Sequence, residues 1–386
     1  MNEKKKKILI ISVMDSWGGG EEFILRLTKN LSEYKFYIAS PQNAVSQRFE
    51  NEGLNVFHIS SLKKFYRAEW GWSLSAALKT LFYAKLSSLS LVRIILKNKI
   101  DLIIANGNFA AVYALPASFF TRRKFIGIQH LIHRKNSVEE KIIKLLNRRI
   151  LKFIAVSKSV EENIKELIGK YSDEKILIIN NGIELPPAKI QDKKSNQISI
   201  GVVGSIVRLK GIDMIINAAK EVIRSNEDIH LKIYGNTREK DSEKYLEELK
   251  FLISENSLEE SVHFFSFEKD KDRLYNSFDI LVSFSTVPES FSYSVLEAMS
   301  YGKIVIASDV GGPKEFLSNG VNGFLVNPLD VKALSDKLKF CVENLFSDKF
   351  SEIRNNARKT VAEKYSVENF TEGYKKLFDS IFCNLA

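Results

Sequence analysis

The sequence lacks several features that mark large classes of protein. It has only two cysteines, Cys341 and Cys383, in 386 residues, which gives neither a disulfide framework nor a metal-binding spacing and is typical of a reducing compartment. No apolar run is long enough to span a bilayer. The first run, residues 8–14, meets Asp15 without a small-residue cleavage site, so it predicts a β-strand and not a signal peptide. We therefore expect a cytoplasmic protein.

Internal repeats and low-complexity tracts are also lacking, and the composition is that of an ordinary globular protein. The charge is unevenly divided. Residues 1–195 carry 33 Lys and Arg against 18 Asp and Glu, whereas residues 196–386 carry 24 against 29. This asymmetry indicates that the first half faces an anionic partner, for which nucleic acid, anionic lipid and a phosphorylated substrate are the candidates.

What the sequence does contain is a regular alternation of short apolar runs with longer amphipathic ones. Continuous apolar strands separated by helical patterns predict parallel sheets covered by helices on both faces. The fold class is therefore α/β, with two Rossmann-like domains joined by the polar, proline-containing stretch 186–197. The predicted strands are 7–13, 35–39, 55–59, 101–105, 124–128, 152–156 and 175–179 in the first domain, and 198–204, 229–234, 261–265, 279–284, 303–307 and 323–326 in the second.

Ligands of such sheets bind where strands end and helices begin. The first of these turns, "DSWGGGEEF", contains Gly18, Gly19 and Gly20. Without Cβ atoms, this turn lets a substrate approach backbone N–H groups at the positive end of a helix. The GxGxxG pattern of dinucleotide-binding proteins is absent. A flexible connection explains the glycines equally well.

A second turn, "GSIVRLKG", follows the strand that ends at Gly204. Arg208 and Lys210 lie at a helix start, where two cations can clamp a diphosphate. The P-loop pattern GxxxxGK[ST] is absent. Taken alone, a solvated basic loop is the commoner explanation.

A third turn, "PESFSYSVLEAMSYG", has Glu289 before a predicted helix that runs to about Tyr301, and Glu297 inside that helix. Ser290, Ser292 or Ser294 can cap this helix, and Gly302 ends it. Because carboxylates accept hydrogen bonds from vicinal hydroxyls, the two glutamates can hold sugar hydroxyls. A glycosidase-like carboxylate pair, or a surface glutamate on an amphipathic helix, are the alternatives.

The ordered series "GGGEE", "GIQH", "AVSKSV", "NNGIE", "RLKG" and "PESFSYSVLEAMSYGKIVIASDVGGPKEFLSNGVNGFLVNP" resembles family 4 of the retaining nucleotide-sugar glycosyltransferases. Its motifs cover about residues 8–330. The resemblance implies the GT-B fold, in which two Rossmann-like domains face each other across a deep cleft. It implies an acceptor-binding domain over residues 1–190, a nucleotide-sugar-binding domain over 191–365, and a C-terminal helix, 366–386, that crosses back to the first domain.

The resemblance also assigns roles to residues. Glu289 contacts the hydroxyls of the donor sugar, Glu297 contacts the ribose, and Lys210 binds the diphosphate. His130 lies near the reacting centre, so His130, Glu289 and Lys210 form the implied catalytic set. Further donor-binding residues implied are Gly18, Gly19, Gly20, Gly204, Arg208, Gly235, Ser290, Phe291 and Ser292.

Some residues depart from the family pattern. Its arginine usually follows the strand-ending glycine, where this chain has Ser205, so Arg208 is expected to reach the same oxygens from a different point. Ser290 and Ser292 stand where relatives often have glycine. Asn106 stands where relatives often have histidine, and we assign it no chemistry.

The implied reaction moves a hexosyl unit from a UDP- or GDP-linked sugar to an acceptor hydroxyl, with retention of the anomeric configuration. No metal and no other cofactor is implied, because Lys210, Arg208 and helix N-termini can stabilise the leaving diphosphate. The acceptor is expected to be a glycan or a lipid-linked polysaccharide precursor. Two alternatives stay open: a GT-B epimerase or phosphorylase, and a basic nucleic-acid-binding protein, although no nucleic-acid-binding module is recognised.

The basic first half of the chain indicates where in the cell the protein binds its acceptor. Residues 61–100 mix cations with interfacial aromatics, and a second basic cluster covers residues 122–149. This combination suits peripheral contact with an anionic membrane at the inner face of the plasma membrane. An ordinary solvated helix face is the alternative. The residues concerned are Lys63, Lys64, Arg67, Lys79, Lys85 and Arg93 with Trp70, Trp72, Phe82 and Tyr83.

Overall fold

The structure, a computed structural model, describes residues 5–65, 74–169, 173–187, 197–237 and 240–383. The chain divides into two compact units: unit 1, Met1–Gly182 with Phe370–Ala386, and unit 2, Ile183–Asn369. The expected boundary between residues 190 and 191 lies outside the described residues, as does most of the predicted linker. Arg67, Trp70 and Trp72 of the basic and aromatic segment also lie outside them.

Unit 1 is a seven-stranded parallel sheet in the order β3-β2-β1-β4-β5-β6-β7. Its strands are β1 (Lys7–Ile11), β2 (Lys35–Ser40), β3 (Val56–His58), β4 (Leu102–Asn106), β5 (Phe125–Gln129), β6 (Lys152–Ala155) and β7 (Ile176–Ile178). Its helices are α1 (Gly19–Asn30), α2 (Ala44–Asn51), α3 (Leu74–Asn98), α4 (Asn108–Thr121), α5 (Val138–Leu146) and α6 (Lys158–Ile168), with α14 (Val367–Cys383) from Phe370 onward.

Unit 2 is a six-stranded parallel sheet in the order β10-β9-β8-β11-β12-β13. Its strands are β8 (Ile198–Val203), β9 (Ile229–Tyr234), β10 (Val262–Phe265), β11 (Ile280–Ser283), β12 (Ile304–Ser308) and β13 (Phe324–Val326). Its helices are α7 (Ile212–Ser225), α8 (Lys240–Glu255), α9 (Lys271–Asn276), α10 (Tyr293–Ser300), α11 (Pro313–Phe316), α12 (Val331–Asn344) and α13 (Asp348–Lys364).

The strands form because nearly all their side chains are apolar and both faces of each sheet are covered. Ile8, Leu9, Ile10 and Ile11 of β1 are completely buried, as a strand between two helical layers requires. In unit 2, alternate residues of β11 and β12 enter two separate cores. One core packs against α7, α8 and α12, and the other packs against α9, α10 and α13.

All thirteen predicted strands are present, and their ends differ from the predictions by at most two residues. The predicted α/β fold class, with two parallel-sheet domains, is confirmed. In both sheets the strand order reverses beside the first strand, between β1 and β4 and between β8 and β11. Such a switch point leaves a crevice at the carboxyl ends of the strands, where ligands of open α/β sheets bind.

None of the described helices is both long enough and apolar enough to cross a membrane.

Candidate functional site

A small pocket lies at the switch point of unit 2. It is lined by the end of β8, the end of β11 and the loop before α7: Val202, Val203, Gly204, Ser205, Lys210, Ile212, Val282, Ser283 and Phe284. Most of its lining residues are apolar or glycine, and Lys210 is the cation among them. A pocket of this kind can take a polar group that meets the positive charge of Lys210.

Lys210 and Glu289 form an ion pair in unit 2. The Lys210 Nζ donates to Glu289 Oε1 at 2.5 Å, and the Ser285 hydroxyl donates to the same oxygen. The Glu289 side chain is 15 % exposed and that of Lys210 is 30 % exposed. Burial acts to raise the pKa of Glu289, but the charge of Lys210 and the hydrogen bonds from Lys210 and Ser285 outweigh it and lower the pKa. Glu289 is therefore a carboxylate at neutral pH.

A glycine pair, Gly311 and Gly312, lies in the turn between β12 and α11 and fixes the backbone of Glu289. Glu289 and Gly311 form a parallel bridge, and the Gly312 N–H donates to the Glu289 carbonyl at 2.6 Å. A Cβ on Gly311 would lie 2.3 Å from that carbonyl oxygen, and Gly311 has φ +67°. Only glycine meets both conditions without strain. The pair thus holds Glu289 at the place where it meets Lys210.

Glu297 is held by α9. It lies on α10, where its carboxylate accepts hydrogen bonds from Lys271 Nζ at 2.7 Å and from the Tyr275 hydroxyl at 2.8 Å. The Glu297 side chain is 13 % exposed. Its charge is therefore balanced and its orientation fixed by two neighbours on α9, as a preorganised hydrogen-bond acceptor requires.

Gly204 and Gly235 meet at the ends of β8 and β9. A Cβ on Gly235 would lie 1.9 Å from the Gly204 carbonyl oxygen, and Gly204 itself has φ +153°. A Cβ on Gly204 would lie 3.7 Å from the Lys210 side chain. The two glycines are needed for the close approach of the two chain segments beside Lys210.

Arg208 is placed differently from Lys210, although the two are neighbours in one 3₁₀ turn, Arg208–Lys210. The Arg208 guanidinium pairs with Glu248 and lies 4.8 Å from the centroid of the Tyr245 ring. The structure brings Lys210, but not Arg208, to Glu289. For Arg208 to join Lys210 at one diphosphate, its ion pair with Glu248 must open.

The residues between Glu289 and α10 serve the local fold as well. Ser292, one of the three serines that the sequence offered as caps, is buried and is the N-cap residue of α10, although its hydroxyl makes no capping bond. The Phe291 ring packs against Tyr293 and Phe316 at centroid distances of 5.4 and 6.1 Å, and its Cα lies beside Gly312. Ser290 is half-buried in the same turn. Their proximity to Glu289 is set by this packing.

In unit 1, the glycine turn meets His130 at the other switch point. His130 Nε2 lies 2.7 Å from Asn106 Oδ1, and Asn106 Nδ2 donates to the Gly20 carbonyl at 3.2 Å. Since Asn106 Oδ1 can only accept, His130 carries its proton on Nε2. Burial lowers the pKa of His130 to about 4, so the ring is neutral at neutral pH. The cluster joins the ends of β4 and β5 to the start of α1.

Gly18 and Gly19 begin α1. Gly18 is the N-cap residue, and its N–H donates to the Glu21 carboxylate at 3.2 Å. Glu21 is almost completely buried and also meets the Ser12 hydroxyl at 3.4 Å. Burial raises the pKa of Glu21 to about 7, so this carboxyl stays partly protonated near neutral pH.

Sequence reasoning missed four residues that hold the predicted ones: Ser285, Lys271, Tyr275 and Asn106. Lys271 and Tyr275 are four residues apart and lie on one face of α9, so their spacing was a usable signal. Asn106 is a polar residue at the end of a strand, and this position is the signal in the sequence that points to it. Within the part of the chain that the structure describes, no group of three or more His, Cys, Asp or Glu side chains could hold a metal ion.

Comparison with known proteins agrees with the fold. Residues 17–185 match the family model "Glycosyltransferase Family 4", and residues 188–360 match "Glycosyl transferases group 1". A poly(ribitol-phosphate) alpha-N-acetylglucosaminyltransferase of Staphylococcus aureus is 26 % identical over 69 % of this chain and 54 % of its own length. The capsular polysaccharide biosynthesis glycosyltransferase CapM of the same species is 27 % identical over 59 % and 58 %. The chain thus spans little more than half the length of these curated relatives.

Among solved structures, that of Anabaena HepE in complex with UDP and glucose superposes with a TM-score of 0.80 at 22 % identity. The superposition covers 97 % of this chain and 100 % of that one. At this identity the likeness shows the fold, and the two family models together cover most of the chain. The chain therefore belongs to the glycosyltransferases of the GT-B fold, with a family 4 domain followed by a group 1 domain.

Proposed function

We propose that this glycosyltransferase moves a hexosyl unit from a UDP- or GDP-linked sugar to a hydroxyl of a polysaccharide or other cell-surface glycan precursor, and that it retains the anomeric configuration. The observation that carries the proposal is the Lys210–Glu289 pair at the pocket of unit 2. A cation that reaches a diphosphate and a carboxylate that reaches sugar hydroxyls are the two groups that a nucleotide-sugar requires, and here they are in contact.

The donor is proposed to bind along the carboxyl edge of the sheet in unit 2. Lys210 meets the diphosphate, since a positive charge in a partly buried site is worth more than in water. Glu289 accepts from hydroxyls of the transferred sugar. Glu297, fixed by Lys271 and Tyr275, accepts from the ribose hydroxyls.

For the chemical step, we propose that the bond between the anomeric carbon and the diphosphate oxygen breaks first in a dissociative transition state. The negative charge that develops on the leaving oxygen is stabilised by Lys210, without a metal ion. The acceptor hydroxyl attacks the same face, and its proton passes to a diphosphate oxygen. His130 is neutral and is held by Asn106, so we propose that it acts as a hydrogen-bonding group and not as a cation.

The acceptor is proposed to be lipid-linked and to be met by unit 1 at the cytoplasmic face of the membrane. Two observations support this. The relatives described above include a poly(ribitol-phosphate) glycosyltransferase and an enzyme of capsular polysaccharide biosynthesis, and residues 1–195 carry the positive excess.

The donor is tested by thermal melting with UDP-, GDP- and ADP-sugars, followed by product analysis with the best one. We expect one UDP- or GDP-sugar to raise the melting temperature, because a ligand that binds only the folded state stabilises it. Glu297→Gln should reduce that rise, since a neutral amide accepts a weaker hydrogen bond than a carboxylate.

The matched control is Glu352→Gln, an exposed glutamate on α13 of the same unit, which should keep the full rise in melting temperature. If no nucleotide-sugar stabilises the wild type, or if both variants lose the rise equally, the proposed donor site is wrong. Conversion of the donor to an epimer in the absence of any acceptor would favour the epimerase alternative. An inverted anomeric centre in the product would contradict retention.

A further inference from the structure

Helix α3 of unit 1 has an unusual distribution of side chains. Its buried positions are Ala76, Thr80, Ala84 and Ser87 along most of its length, followed by Leu91 and Ile95. A helix on the surface of a globular protein normally buries its large apolar side chains and exposes its small and polar ones. Over its first four turns α3 does the opposite.

Large apolar side chains instead point outward from α3. Leu74, Leu78, Phe82 and Leu89 are between 60 % and 74 % exposed. Their spacing of four, four and seven residues puts them on one stripe of the helix. We call this stripe the apolar face of α3; it also includes Leu81, Leu86 and Leu96, each more than half exposed. Exposed apolar patches of this kind mark surfaces that bind a partner.

The end of α4, which packs against α3, also exposes large apolar side chains. Phe119 and Phe120 are 55 % and 67 % exposed, and their rings are in edge-to-face contact at 5.5 Å. The guanidinium of Arg149 lies 4.7 Å from the centroid of the Phe119 ring. Aromatic rings accompanied by cations are typical of the water–bilayer interface.

The charges beside the apolar face are all of one sign on α3. The helix contains no Asp or Glu, and its exposed cations are Lys79, Lys85, Arg93 and Lys97. Arg122 and Arg123 follow α4 directly and are also exposed. A second copy of this chain is a poor partner, because a twofold contact would place these cations against their own copies. A complementary partner has an apolar layer that receives the leucines and phenylalanines, and negatively charged groups above that layer that pair with the lysines and arginines.

We propose that the apolar face of α3, with the end of α4, lies in the headgroup region of an anionic membrane. The leucines and phenylalanines enter the acyl boundary, while the lysines and arginines meet lipid phosphates. A helix of 25 residues lying flat offers a contact of about 37 Å along the surface. The proposal goes beyond the transfer reaction and uses residues of unit 1 alone, so it can fail while the donor site of unit 2 holds, and the reverse.

The test is flotation of the full chain with vesicles of phosphatidylcholine alone and of phosphatidylcholine mixed with phosphatidylglycerol. We expect binding to the mixed vesicles, with a marked loss at high salt, because screening weakens the lysine–phosphate attraction. The double variant Leu78→Ser, Leu89→Ser should bind roughly tenfold more weakly or worse. Reversal of three charges, Lys79→Glu, Lys85→Glu and Arg93→Glu, should weaken binding on the order of 100-fold.

The matched control is Phe251→Ser with Phe346→Ser, two residues of unit 2 that are 69 % and 75 % exposed. This variant should float as the wild type does. Because all the substituted residues are exposed, every variant should also keep the wild-type melting temperature. Salt dependence of the wild type tests the proposal without any variant.

Three outcomes would overturn the proposal. In the first, the wild type fails to float with mixed vesicles. In the second, the leucine variant and its control bind equally well. In the third, light scattering without vesicles gives twice the chain mass of 44.0 kDa and the leucine variant alone returns to a single chain, which would assign the apolar face of α3 to a second copy.

Discussion

At the scale of single residues, Glu289 shows how a buried carboxylate is kept ionised. Its carboxylate is mostly buried, which would favour the neutral form. Lys210 and Ser285 oppose this effect, and their combined influence holds the pKa below 4.5, its ordinary value. The contact with Lys210 that keeps Glu289 ionised therefore also contributes to the stability of unit 2.

The lowered pKa of Glu289 predicts a pH dependence with a definite sign. The ionised form stabilises the folded state fully above the ordinary pKa, and this contribution is lost as the pH falls through the lowered value. Glu289→Gln should therefore destabilise the protein near neutral pH, and its deficit should shrink on acidification. The free energy of unfolding in urea, measured from about pH 7 to about pH 3 for both proteins, checks this. A deficit that is constant over this range would show that Glu289 contributes no ionised contact.

The pKa of Glu21 is shifted in the opposite direction, so its contribution to stability changes with pH in the opposite sense. Its pKa is raised by burial to about 7, so its stabilising contribution is complete below 4.5 and is lost as the pH rises through about 7. Glu21→Gln keeps an acceptor for Gly18 and Ser12 but cannot ionise. We expect this variant to gain stability relative to wild type between about pH 5 and about pH 8. Thermal melting at these two pH values measures the change. A variant that is less stable relative to wild type at the higher pH than at the lower one contradicts the assignment.

At the scale of elements, the turn between β12 and α11 determines where Glu289 stands. Gly311 has φ +67°, and a Cβ there would lie 2.3 Å from the Glu289 carbonyl oxygen. Gly311→Ala should therefore displace the Glu289 backbone and separate its carboxylate from Lys210. The expected cost is about 1–3 kcal/mol of stability from strain alone, together with loss of stabilisation by the donor.

Gly320→Ala is the matched control for Gly311→Ala. Gly320 also has a positive φ, +75°, but a Cβ there meets nothing within 4 Å. Both variants carry the backbone strain, and only Gly311→Ala carries the collision. Thermal melting with and without the best nucleotide-sugar separates the two effects. Equal donor responses in the two variants would show that the close approach of Gly311 to Glu289 has no part in binding.

The elements themselves could be predicted from the sequence because strands of a doubly covered sheet are continuous apolar runs, such as residues 8–11. The partners of the site residues could not. Lys271 is 26 residues from Glu297 in the sequence. Ser285 contacts Glu289 because the chain folds back in the turn that follows β11. Arg208 was predicted beside Lys210 from proximity in sequence, but one 3₁₀ turn directs the two side chains to different acids, Glu248 and Glu289.

At the scale of the whole molecule, the two units share one plan. Each has a parallel sheet with a switch point beside its first strand, and each has predicted polar residues just after the carboxyl ends of strands at or next to that point. The basic character of the first half was visible in the sequence, whereas the outward direction of the α3 leucines was not. Periodicity shows that these leucines share one side of the helix, but only the packing of Ala76, Thr80 and Ala84 shows that the other side is the buried one.

Unit 1 is built from both ends of the chain. From Phe370 onward α14 packs on α1 and on the start of β2. Phe370 and Tyr374 contact the Phe23 ring at centroid distances of 5.7 and 5.5 Å, and Phe378 contacts Tyr34 at 5.1 Å. The Tyr34 hydroxyl also donates to Asp379 at 2.9 Å. The aromatic core of unit 1 is therefore completed by a segment that follows unit 2 in sequence.

A chain that ends at Asn369 should consequently lose the fold of unit 1. Removing a buried aromatic side chain costs about 3–5 kcal/mol, and the deletion removes Phe370, Tyr374 and Phe378 together. That loss is comparable with the whole stability of a domain, about 5–15 kcal/mol. Hydrogen exchange should show that the amides of β1 and α1 lose protection, while those of β8 and α7 in unit 2 keep theirs. A chain that ends at Cys383 is the control and should retain both sets. Full protection of β1 in the shorter chain would mean that unit 1 folds from its first 182 residues alone, and that α14 covers a core already complete.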